Sequence, residues 1–197
     1  ASERSGAAVL TRLPINTLRL DDIEGLASLD WLILDELADA MAVLENGVKA
    51  LANTLLLQVG VAFQPTHQRQ PNFAEVSHWA SRHGFTFYRL NNPHHRSLMP
   101  ERDDIARPQA TQLANADALF IPSPQRLASL ENEQRQRLAF ILDSVFGIHD
   151  LPYQLLAEID AEPAERYLKA RGYRGVHLAT SGANQPSFLA LRKPNRE

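Results

Sequence analysis

The sequence predicts an α/β protein: a partial doubly wound sheet followed by a C-terminal helical appendix. Three observations predict it. Residues 31–63 read as an apolar run from Trp31 to Leu34 ending on Asp35, an apolar-periodic helix (Leu37, Met41, Val43, Leu44), and a second apolar run, TLLLQVGVAF. That is the strand–helix–strand order that builds a parallel sheet. The second run is almost continuously apolar, as expected of a strand buried on both faces. After Ser123 the apolar spacing turns helical, with Leu138, Ile141, Leu142 and Val145 on one face.

Composition bounds the function. The 197 residues, 44% hydrophobic and 22% charged, suit one soluble domain with a real core. A net charge of −3 gives no footprint for nucleic acid. No apolar run approaches the roughly 18 residues of a membrane span. ASERSGAAVL lacks the apolar core of an export signal, so the expected location is cytoplasmic. With no cysteine there is no disulfide, thiol nucleophile or thiolate metal site.

In order, residues 1–12 read as a tail or linker, 13–160 as the α/β domain, and 161–197 as a helical or irregular extension. Leu18 and Leu20 alternate with Thr17 and Arg19, an edge-strand pattern stopped by Asp21-Asp22. Strand 30–35, helix 37–52 and strand 54–63 follow. Gly60 inside the last marks a bulge or a close approach to the backbone. PTHQRQP (65–71) is a proline-bounded loop. Asn72 is a candidate N-cap, with Glu75 three residues on, for a helix carrying Phe73, Val76, Trp79 and Ala80 and stopped by Gly84. FTFYRL (85–90) is a strand. Residues 91–116, with three prolines and little periodicity, read as a long excursion. DALFIPS (117–123) is a strand, and helices are expected at 130–147, 151–160 and 163–172. VHLATSGANQPSFLALRKP has room for a last strand.

Several strings in this order resemble the C-terminal half of the FkbM-type S-adenosylmethionine-dependent methyltransferases. They are TLRLDDI, WLILDELADAMAVLENG, LLLQVGVAFQPTHQRQPNFAEVSHWASRHGFTFYRL and ADALFIPSPQRL, spanning about residues 14–160. The resemblance implies a Rossmann-like methyltransferase sheet, S-adenosylmethionine as cofactor, and O-methylation of a sugar or small-molecule hydroxyl. The chain departs from that pattern twice. Residues 1–30 supply neither the glycine-rich turn nor the ribose-binding acid of the family's cofactor half. Polar site positions are also replaced, by Ala38, Ala40, Gly60 and Ala62. The chain therefore resembles a truncated or degenerate methyltransferase, with no cofactor-binding residue of its own. The alternative is a non-catalytic assembly subunit that keeps the fold for its surface.

Two candidate catalytic residues remain. Asp35, at the carboxyl end of a strand, stands where open α/β sheets hold ligands; an aspartate at a strand–helix junction is equally suited to capping. His67, in the loop after the long strand, fits a general base near neutral pH or a solvated loop histidine. Together they admit a third reading, a cofactor-independent hydrolase or lyase. Glu36 beside Asp35 points elsewhere. Arg69 and Gln70 fit substrate contacts or a solvated turn. His94-His95 would hold a metal only with a further converging ligand from elsewhere, and adjacent residues of an extended chain face opposite ways, so a metal is the minority reading. Trp79 reads as core. The strand at 30–35 lacks its expected neighbour, and an open apolar edge invites pairing, so the expected partner is a second copy or another protein covering that edge.

Overall fold

The computed structural model describes residues 16–26, 28–35, 38–65, 70–100 and 109–174. Four strands form one sheet: β1 (Trp31–Leu34), β2 (Leu56–Ala62), β3 (Phe85–Ser97) and β4 (Ala110–Pro122), in the order β1-β2-β4-β3. Between β1 and β2 lies α1 (Ala40–Glu45), and between β2 and β3 lies α2 (Phe73–Arg82). After β4 come α3 (Pro124–Ser129), α4 (Asn132–Phe146), α5 (Asp150–Ala157) and α6 (Ala161–Ala170).

The class is α/β, as the sequence predicts, but the sheet is mixed. β1 and β2 are parallel, with Trp31 opposite Leu56, because α1 carries the chain back between them. β4 runs antiparallel to both β2 and β3. The expected excursion over 91–116 is, in its described residues, the outer part of a long hairpin. Its polarity has a physical cause. Residues 92–96 are exposed, so pairing there rests on backbone hydrogen bonds and leaves no apolar alternation to read. Pro93 is tolerated because β3 is the outermost strand.

The strand expected at residues 17–20 is also corrected. Leu20–Asp22 form a single 3-10 turn. Asp21 holds the turn, its backbone N–H donating to the Asn46 carbonyl at 3.1 Å and its carboxylate accepting from Ala50 N at 2.8 Å. The helix expected over 37–52 shrinks to α1, capped by Asp39, and continues as turns. The segment after Arg174, where a last strand had room, lies outside the described residues.

The core has two halves, one on each face of the sheet. On one, Leu57, Val59, Ala118 and Phe120 pack against Leu44 of α1 and Val76 and Trp79 of α2. On the other, Leu56, Leu119 and Ile121 pack against Leu138 and Leu142 of α4 and Leu151 and Leu155 of α5. The C-terminal helices are therefore a covering layer rather than an appendix. α6 is tied to that layer by Asp143, which accepts from Tyr167 Oη at 2.7 Å and pairs with Arg171.

Arg126 joins the pieces at the amino end of β2. Its guanidinium donates to the carbonyls of Ala52 (2.9 Å), Thr54 (2.8 Å) and His83 (3.3 Å) and lies 4.3 Å over the Phe85 ring. Burial lowers its pKa from the ordinary arginine value. Gly84, at φ 75°, lets it in: a Cβ there would stand 2.5 Å from Arg126 Cδ. Arg126→Ala removes charged donors from several part-buried carbonyls, and urea unfolding is expected to show a loss of about 2–4 kcal/mol. Arg126→Lys keeps the charge without the planar fork and is expected to recover less than half of it.

Candidate functional site

A cleft of about 550 Å³ opens at the carboxyl ends of β1 and β2. Gly60 and Val61 of β2 contribute from the sheet, Asn92 and His94 of β3 and Asn115 and Asp117 of β4 from the hairpin, and Asp35 from the end of β1. The strand register brings them together. Gly60 pairs with Asp117, and Asp117 with Asn91 on its other side.

The helix layer stops short of this region. Trp31, Leu56 and Leu119 lie under α4 and α5. One step along on the same face, Ile33 is 54% exposed and Gln58 and Asp117 are part-exposed. Asp117 is the centre of the polar set. Its Oδ2 accepts from Asn92 Nδ2 at 2.8 Å and from Gln58 Nε2 at 3.4 Å. Asn92 reaches it through a left-handed backbone, φ 47°, a conformation that asparagine adopts more readily than most residues. The register shift between Asn91 and His94 places it there.

Asp35 lines the same cleft, but its Oδ1 accepts from Ala38 N at 3.0 Å. It thus acts as a cap on the turn that leads into α1. His67, Arg69 and Glu36 lie outside the described residues. Gln70 falls instead in a larger groove of about 670 Å³ between α1 and α2. There His83 stacks on Trp79 at 4.1 Å, its Nδ1 engaged by the Trp79 carbonyl at 2.7 Å. Trp79 is core, 6% exposed. We assign the site to the smaller cleft because polar side chains from β3, β4 and the end of β1 converge there over β2, whereas the groove collects side chains of two helix surfaces.

His94 lines the cleft and His95 does not. Among the described residues no three histidine or acidic side chains come close enough to hold a metal ion. Asp117, Asn92 and Asn115 were not singled out from the sequence. The available signal was an acid inside an otherwise apolar strand, ADALFI, where a charge needs a partner.

Comparison with family models, with curated proteins and with solved structures finds no match to this chain.

The capping bond sets an expectation for Asp35. Asparagine caps about as well as aspartate, so Asp35→Asn is expected to change unfolding free energy by under about 0.5 kcal/mol. Asp35→Ala is expected to cost about 0.5–2 kcal/mol.

Proposed function

We propose that this chain is a methyltransferase-like α/β domain of the FkbM type that supplies the acceptor side of the fold. One observation carries the reading, the order β1-β2-β4-β3 with β4 returning antiparallel between β2 and β3. That is the order in which the carboxyl half of such a methyltransferase sheet runs, and the strings that resemble the family, apart from TLRLDDI on the 3-10 turn before β1, run through its strands and α1 to α3. The cleft at the strand ends suits a ligand site in an open α/β sheet. O-methylation of a sugar or small-molecule hydroxyl is the reaction class of this reading.

The methyl donor, S-adenosylmethionine, does not fit the residues present. Among the described residues no glycine-rich turn joins a strand to a helix ahead of β1, and no acid stands at Gly60 or Ala62. β1 has a neighbour on one side only among the described strands. Donor-side strands therefore pair with its other edge, and without them the domain is an inert half. This also accounts for the partner expected from the sequence, a second copy or another protein at that edge, with Ile33 exposed beside it.

The test has two readouts. Titration of the chain with S-adenosylmethionine is expected to give no heat and no thermal shift at millimolar ligand. A ligand at a hundred times its Kd would stabilise by about 2.7 kcal/mol, so binding would be visible, and binding by the chain alone would overturn the donor assignment. Light scattering is expected to show an assembly larger than a monomer. Ile33→Lys should reduce it to monomer with the fold retained, because a charge at a sheet edge opposes pairing. A monomeric parent chain would overturn the pairing.

A further inference from the structure

We propose that α6 is a releasable strap. It lifts from α4 and α5 as a unit while the rest of the domain stays folded, and its departure opens a second cavity at the α4–α5 joint. This device goes beyond the methyltransferase-like reading and does not depend on it. α6 is held differently from its neighbours. α4 buries Leu138, Ala139 and Leu142, and α5 buries Leu151, Pro152 and Leu155. α6 buries Ala164 alone, and neither half of the core includes that residue.

The backbone of α6 lies along α5, and its polar tie to α4 converges on Asp143. That carboxylate, 10% exposed, accepts from Tyr167 Oη at 2.7 Å and pairs with Arg171. His149 stands between the layers, with Nε2 3.7 Å from Asp143 and Nδ1 2.9 Å from Tyr173 Oη. Water can replace bonds of this kind, so their net hold is modest, whereas buried apolar area has no such substitute. An element with few buried apolar contacts opens at low free energy. The internal bonds of α6 survive its release. Asp160 caps it by accepting from Glu162 N at 3.1 Å, Glu162 pairs with Arg166 at 3.1 Å, and Glu165 pairs with Arg174.

The end of the strap forms one wall of the cavity. Gly172, at φ 78°, turns the chain back, with Tyr173 N donating to the Leu168 carbonyl at 2.9 Å and Gly172 N to that of Lys169 at 3.1 Å. This Schellman closure brings Tyr173 against His149. The cavity, about 450 Å³, lies between Tyr173 and a floor that includes Tyr88, Arg89, His149 and Asp150. The floor is tied together without α6. Tyr88 Oη donates to Asp150 Oδ1 at 3.3 Å, and Arg89 Nη2 donates to the Phe146 carbonyl at 2.9 Å. Lifting α6 therefore withdraws Tyr173 and leaves the floor in place.

Amide hydrogen exchange on the full chain tests the strap. A short helix off its support is marginal in water, so the α6 amides exchange each time it lifts. They are expected to be at least about a hundred-fold less protected than those of α4 and β2. Tyr167→Phe removes one hydroxyl and its bond to Asp143. It should lower α6 protection by about ten-fold more and leave α4 and β2 unchanged. Asp143→Asn should act in the same direction, which keeps the test valid if Tyr167→Phe folds poorly. Opening of the cavity has its own readout. In Tyr167→Phe, His149 is expected to react several-fold faster with diethyl pyrocarbonate. Protection of α6 equal to that of α4, loss of protection in α6, α4 and β2 together in both variants, no change of α6 in either, or unaltered His149 reactivity as α6 loosens would overturn the strap.

Discussion

The structure depends on burying β2 on both faces. Of its seven residues, all but Gln58 are buried. A strand in that position cannot be stable with one helix layer, because leaving either face in water would expose several branched or bulky side chains, each worth about 1.5–3 kcal/mol on burial. α1 and α2 therefore cover one face, and α4 and α5 must cover the other. The same need makes β4 the inner strand of the hairpin. Its apolar residues from Ala118 to Ile121 extend the buried surface beside β2, and polar β3 is left at the edge.

This arrangement also fixes where a ligand can enter. The helices of the second layer cover the sheet over Trp31, Leu56 and Leu119 and leave Gln58 and Asp117 part-exposed. Gln58, the exception in β2, is thereby explained. It lies at the boundary between core and cleft and spends its amide on Asp117 across the ladder. The hairpin runs on past the layers and carries Asn92, His94 and Asn115 to the same place.

Much of the scaffold was legible. The double-sided burial of β2 followed from its unbroken apolar run. Asn72 caps α2 by accepting from Ala74 N at 2.8 Å, and Gly84 and Gly147 end their helices at positive φ, as their residue types indicate. Asp35 was legible as either a site acid or a helix cap; the N-cap of α1 is Asp39, and Asp35 lies ahead of it, accepting from Ala38 N. The outer hairpin was not legible. A strand exposed on both faces carries no period-two pattern, and prolines and paired asparagines resemble a loop. Asp117 was hidden for a related reason. Its meaning depends on Gln58 and Asn92, which stand 59 and 25 positions away, and no local pattern encodes that meeting.

By itself the sequence determined the class, the parallel pair β1–β2 with its crossover, and the helical character of the C-terminal third. Each of these is written in local periodicity and end-capping chemistry, which short stretches of chain contain. Tertiary structure alone decided the antiparallel return of β4, the use of α4 and α5 as the second layer, and the gathering of Asp35, Asn92 and Asp117 around one cleft. Those outcomes turn on which apolar faces find one another across long separations, and the energy that selects them exists only once the chain has closed.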